Sequence, residues 1–304
     1  MGYDLWLTNN RGNVFSREHR SLDPNSSEFW DFSFEDMRHD VFANLRKVSD
    51  VTGWGKIDYI GHSQGGAQFL AAVGNPEESP RLEIQELIKN AILLAPISVR
   101  NQKYSKYDKA TLSQMQNFIL FLKFIGKKCI NQVDLNHYSI RMITVRILQL
   151  LGFRKFLLKN AFAFVDFKYD KNVQTDEFIR NFWLTHHSYS SFKTVIHYYQ
   201  MRTLDNEENT FRKFDYGKEE NLKKYGTEKP PIFDLSLCKS RVVIIAGDCD
   251  KLQTIEGMLK VISDLKNAET EFVEMKGWGH NSFVFGNEFK LLADIIVGKL
   301  KDDY

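Results

Sequence analysis

Along the chain, short apolar runs alternate with longer segments whose apolar residues recur every three or four positions. Five runs, rich in β-branched residues and bounded by turn residues, read as strands: residues 3–7, 56–60, 91–94, 241–246 and 271–275. They are short and mostly apolar, as strands buried on both faces are. Helical spacing is found at 33–52, 67–73, 255–265 and 288–300. Strand alternating with helix predicts an α/β fold built on a doubly wound, mostly parallel sheet. The alternation lapses between about 99 and 201, where apolar residues keep helical spacing, as in 118–125 and 140–151. An inserted helical cap over 99–200 is therefore expected, between core segments 1–98 and 201–304. Residues 207–229 are polar and charged and read as an exposed loop returning to the sheet.

Composition narrows the function classes. With 304 residues, 43% of them hydrophobic, the chain can bury a large core. Lys and Arg (41) nearly balance Asp and Glu (39), so no overall basic surplus points to nucleic acid. The local balance differs, because residues 99–171 hold 14 Lys and Arg against four acids (Asp108, Asp134, Asp166 and Asp170). Interleaved with phenylalanines such as Phe118, Phe121, Phe124, Phe153 and Phe156, that surplus would suit transient contact with an anionic lipid surface. Ordinary amphipathic helices with a solvated basic face are the competing reading. Cys129, Cys238 and Cys249 are too few and too scattered for a disulfide framework, and no pair has metal-ligand spacing. The first residues lack the pattern of a signal peptide, and no apolar run approaches the roughly 18 residues of a spanning helix. Asn25-Ser26-Ser27 is a lone glycosylation sequon.

The chemistry concentrates in Gly61-His62-Ser63-Gln64-Gly65. A Gly-x-Ser-x-Gly pentapeptide alone is weak, since a chain this long holds one by chance roughly one time in ten. Here it follows an expected strand and precedes an expected helix, the arrangement of a nucleophile elbow. Such an elbow forces Ser63 into strained backbone geometry, so small neighbours are needed, and Gly61 and Gly65 are expected to supply them. The backbone N–H of Gln64, at the helix N-terminus, would face a developing oxyanion. A serine hydroxyl needs a base, and His280 lies after the last expected strand and before the final helix. The other histidines, His19, His39, His62, His137, His186, His187 and His197, are expected to have packing or surface roles. The acid that orients the base belongs after the strand at 241–246, where Asp248 and Asp250 both stand. Asp250 is favoured, because a Gly-x-x-Asp turn carries it onto the loop facing His280; Asp248 would cap the turn.

Beyond the pentapeptide, several longer segments stand out: Gly2-Tyr3-Asp4-Leu5-Trp6-Leu7-Thr8-Asn9-Asn10-Arg11-Gly12-Asn13, Glu28-Phe29-Trp30-Asp31-Phe32-Ser33-Phe34-Glu35-Asp36-Met37 and Tyr59-Ile60-Gly61-His62-Ser63-Gln64-Gly65. In these the chain resembles the acid lipase family of gastric and lysosomal lipases, enzymes with an α/β-hydrolase fold and a helical cap. The resemblance implies a serine carboxylic-ester hydrolase acting on acylglycerols or sterol esters, with Ser63, Asp250 and His280 as the triad and no cofactor. It also implies a lysosomal or secreted setting, for which the chain shows no leader. A short-chain esterase and a non-catalytic lipid-binding relative are the alternatives. In the family a His-Gly-Leu segment upstream of the Gly-Tyr-Asp strand supplies a second oxyanion amide, and the sequence begins after it. The expectation is an N-terminally incomplete chain with one oxyanion donor missing and a central strand left unpaired.

Overall fold

The structure is a computed structural model that describes residues 2–98, 116–117, 119–120, 129–130, 147, 190–203, 210–250 and 252–301. Its sheet contains strands β1 (Ile57–His62), β2 (Ile88–Leu94), β3 (Arg241–Gly247) and β4 (Thr270–Met275), side by side in chain order. All three pairings are parallel, and the register sets His62 beside Leu94, Leu94 beside Ile245 and Gly247 beside Met275. The carboxyl ends of the strands therefore finish along one edge, where α/β sheets hold their ligands.

The described helices, in chain order, are α1 (Arg38–Thr52), α2 (Gln64–Val73), α3 (Glu78–Leu87), α4 (Phe192–Thr203), α5 (Lys218–Tyr225), α6 (Ile255–Asp264), α7 (Ser282–Phe285) and α8 (Phe289–Lys301). Alternate strand residues feed two cores, as the two-residue period demands. On one face Ala91, Leu93, Val242 and Ile244 pack with Leu45 of α1, Phe69 of α2, Ile84 of α3 and Met258 of α6. On the other, Ile92, Leu94, Val243 and Ile245 meet Trp278, Phe283 and Leu292 of α8. Both faces are covered, which is why β2 and β3 read as continuous apolar runs and why the doubly wound expectation holds. Among the described residues no helix is long and apolar enough to cross a membrane.

Several elements depart from expectation. Residues 3–7 form no strand: no described strand runs beside them to complete a hydrogen-bonded ladder, and Leu5 and Leu7 are 74% and 86% exposed. The extended arm is anchored further on, where Arg11 clasps Asp40 at 2.6 Å. Helix α1 begins at Arg38 rather than near Ser33, because side chains bind the preceding backbone locally. Ser33 N–H donates to Asp36 Oδ2 at 2.7 Å, and Glu35 N–H to Ser33 Oγ at 3.3 Å. Helix α3 lies outside the expected helical stretches; Pro80 stands in its first turn, where a missing N–H is tolerated. Helix α5 replaces part of the loop expected at 207–229. Its polar sequence hides a favourable charge order, Glu219 and Glu220 in the first turn and Lys223 and Lys224 in the last. The helical stretches expected at 118–125 and 140–151, with their basic and aromatic faces, lie almost wholly outside the described residues. The described parts of the stretch expected to form a cap include an antiparallel pair, Cys129–Ile130 with Ser190–Ser191, and α4, which runs across the boundary expected at 200.

Candidate active site

Ser63 occupies the turn between β1 and α2 with φ 56° and ψ −111°, a left-handed φ that costs a non-glycine residue about 1–3 kcal/mol. Both sides of the turn are pinned. Ser63 N–H donates to Leu94 O at 2.9 Å, while Ser63 O accepts N–H groups of Ala67 and Ile97, each at 3.2 Å. A Cβ on Gly61 would meet Gly65 C at 2.8 Å, so this glycine is required as expected. Gly65 is not the second tight position: a Cβ there would touch only the Tyr59 hydroxyl, at 3.6 Å. The tight one is Gly66, where a Cβ would come within 2.4 Å of Pro96 Cβ. The helix packs down on the segment after β2 one residue further along than the pentapeptide suggests.

The loop after β4 delivers His280. Gly247 permits its approach, since a Cβ there would lie 2.1 Å from Trp278 O, and Cys249 N–H donates to that same carbonyl at 2.9 Å. His280 is only 4% exposed. Its Nδ1 lies 2.8 Å from Asp250 Oδ2 and its Nε2 lies 2.7 Å from Ser63 Oγ. A carboxylate accepts, so Nδ1 bears the hydrogen and Nε2 is left to accept from the serine hydroxyl. Asp250 Oδ1 accepts the N–H groups of Leu252 (2.7 Å) and Gln253 (3.0 Å), which fixes the carboxylate. Asp248 faces elsewhere, accepting Gly277 N–H at 2.6 Å and closing the turn after β4. Gln64 opens α2, so its backbone N–H belongs to the first turn, whose N–H groups lack intrahelical acceptors. Its side chain is steadied from both ends: its amide N–H donates to Met37 Sδ at 3.3 Å, and the Tyr198 hydroxyl donates to its Oε1 at 3.4 Å. The structure thus brings Ser63, His280, Asp250 and Gln64 to one place. His62, expected to have a packing or surface role, also touches the loop of His280, with Nε2 at 2.9 Å from the His280 carbonyl. That contact joins positions 218 residues apart, beyond the reach of any local pattern.

Residues 1–287 match the family described as the alpha/beta hydrolase fold. The chain belongs to that family. Within it this hydrolase is acid-lipase-like. It is 29% identical over 290 residues to lipase member N of Mus musculus, covering 94% of this chain and 67% of that protein. It is 28% identical over 289 residues to the gastric triacylglycerol lipase of Rattus norvegicus, covering 93% and 68%. The chain therefore spans about two thirds of the length of these relatives. A bromoperoxidase structure from Bacillus anthracis superposes with a TM-score of 0.50 at 13% identity, over 90% of this chain and 76% of that one, and attests the fold alone.

The hydrolase holds a second buried polar group of similar composition. His197 is fully buried, with Nδ1 3.1 Å from Ser33 Oγ and Nε2 3.0 Å from Arg212 O. The carbonyl can only accept, so Nε2 donates and Nδ1 receives the serine hydroxyl. Burial pushes this imidazole down to about 3, and Phe34 stacks on it at 4.2 Å. Nearby Glu35 is buried as well, accepting Phe214 N–H at 3.1 Å. Burial, helped by the charge of Asp36, pushes its carboxyl up to about 7. Among the described residues no group of three or more His, Cys, Asp or Glu side chains could hold a metal ion.

Proposed function

We propose that the protein is a serine carboxylic-ester hydrolase that cleaves lipid esters, acylglycerols or sterol esters, through an acyl-enzyme on Ser63. The observation that carries the reading is the hydrogen-bonded line from Ser63 Oγ through His280 to Asp250, at 2.7 and 2.8 Å, on a backbone turn of positive φ. In the first step Ser63 Oγ attacks the ester carbonyl and His280 Nε2 takes its proton. Asp250 keeps Nδ1–H in place and steadies the imidazolium. The backbone N–H of Gln64, at the positive end of α2, stabilises the oxyanion. His280 then protonates the leaving alcohol. A water activated by the same imidazole releases the fatty acid, and the scheme uses no metal or organic cofactor.

An ester-hydrolase activity is supported by the family and by the lipases among its relatives; the lipid class is the finer part of the reading. A chain-length series of nitrophenyl esters, extended to triacylglycerol and sterol-ester emulsions, tests it. The expected result is turnover that rises towards long acyl chains and emulsions and is abolished in Ser63→Ala. Turnover confined to soluble short-chain esters would move the substrate to that class, and no turnover of any ester would end the enzymatic reading.

A further inference from the structure

We propose that His62 is a positioning residue, which holds the loop of the base against the strand of the nucleophile by donating its Nε2–H to the main-chain carbonyl of His280. The proposal rests on the reading of Ser63 and His280 as nucleophile and base. A carbonyl oxygen has no hydrogen to give, so across the 2.9 Å contact Nε2 carries a hydrogen and donates it. His62 is the last residue of β1 and is registered against Leu94 of β2, so its backbone is held by the sheet. Its ring lies 5.0 Å from the His280 ring, tilted by 42°, and 6.1 Å from the ring of Phe283 in α7.

The need for such a tether follows from the topology. Ser63 leaves β1, whereas the loop of His280 leaves β4, and these are opposite ends of the four-stranded sheet. Three strand spacings separate them, about 14 Å, which the loop must cross above β2 and β3. Its near end is seated where Trp278 O meets Gly247 and the N–H of Cys249. At the far end, two side-chain bonds join it to the elbow: Ser63 to the His280 ring and His62 to the His280 carbonyl. The first is consumed when Ser63 is acylated. The second takes no part in the chemistry and persists throughout the cycle, keeping the ring in place for deacylation.

The test uses His62→Phe, which keeps an aromatic ring beside Phe283 but lacks the donor, and His62→Gln, whose amide N–H reaches about as far as Nε2. The Phe variant should lose about tenfold in kcat, the rate equivalent of one hydrogen bond, with KM nearly unchanged. The Gln variant should recover most of that loss. By NMR, the downfield Nδ1–H proton of His280 should stay sharp in wild type and the Gln variant and broaden in the Phe variant. Full kcat with a sharp resonance in His62→Phe, or equal losses in the two variants, would overturn the proposal. If the Phe variant does not fold, His62→Asn, whose amide stops short of the carbonyl, replaces it with the same expectations. A wild-type chain that turns over no ester refutes the enzymatic reading, and the resonance comparison then decides the tether by itself.

Discussion

Among the described residues two imidazoles are buried, each with a serine hydroxyl in hydrogen-bond reach and a buried carboxyl group in the same cluster, and they are connected in opposite ways. At His280 the carboxylate takes Nδ1–H and leaves Nε2 to accept from Ser63. At His197 the donor nitrogen is spent on Arg212 O, and the accepting one faces Ser33, a residue with no exposure. Glu35 does not orient that ring; its Oε2 receives the backbone of Phe214. The backbones differ too, for Ser63 is held at φ 56° by contacts on both sides of its turn, and Ser33 is not among the positive-φ residues. A serine, a histidine and an acid close together therefore do not define a reactive centre. What distinguishes one is which nitrogen is left to accept, which hydroxyl it faces, and whether a substrate could reach it.

The largest test of this contrast exchanges the two carboxyl groups for amides. Asp250→Asn should lower kcat on the order of 10⁴-fold, because the amide no longer holds Nδ1–H and the wrong tautomer results. Glu35→Gln should leave turnover per folded molecule near that of wild type. Similar losses in the two variants would dissolve the distinction. The second effect is smaller and concerns stability. A carboxyl raised from 4.5 to about 7 on folding favours the folded state fully only below 4.5, and that contribution is lost as pH rises through about 7. His197, lowered from 6.5 to about 3, acts in the opposite sense: its contribution is present above 6.5 and lost as pH falls through about 3. Between 4.5 and 6.5 the two trends oppose one another. Removing Glu35 exposes the histidine's trend. From urea unfolding at a series of pH values, Glu35→Gln should gain about 3 kcal/mol over wild type as pH rises from the lower to the upper of the Glu35 values. Parallel curves for the two proteins would show that burial does not hold Glu35 protonated.

Much of the fold could be read from the sequence where local pattern and tertiary environment agree. β2 and β3 are apolar on both faces, so their runs were visible, and α1, α6 and α8 carry clear helical spacing. Residues 61–65, Asp250 and His280 stand out because the elbow and the loops after the strands have fixed places in the chain order. Reading failed where a partner distant in sequence decides the outcome. Residues 3–7 have a strand's composition and no described strand beside them. Gly66, rather than Gly65, is the tight glycine because Pro96 packs there. The contacts of His62, and the burial of Ser33, Glu35 and His197 together, arise only when segments well over a hundred residues apart meet.

The central claim is that one serine of the two is chemically active, and it can be tested without knowing the substrate. The folded chain is treated with a fluorophosphonate, digested, and its peptides mapped by mass. The account predicts one adduct, on the peptide that carries Ser63, with Ser33 unmodified and with no labelling in Ser63→Ala. An adduct on Ser33, or a wild-type chain that takes up no probe, would contradict it.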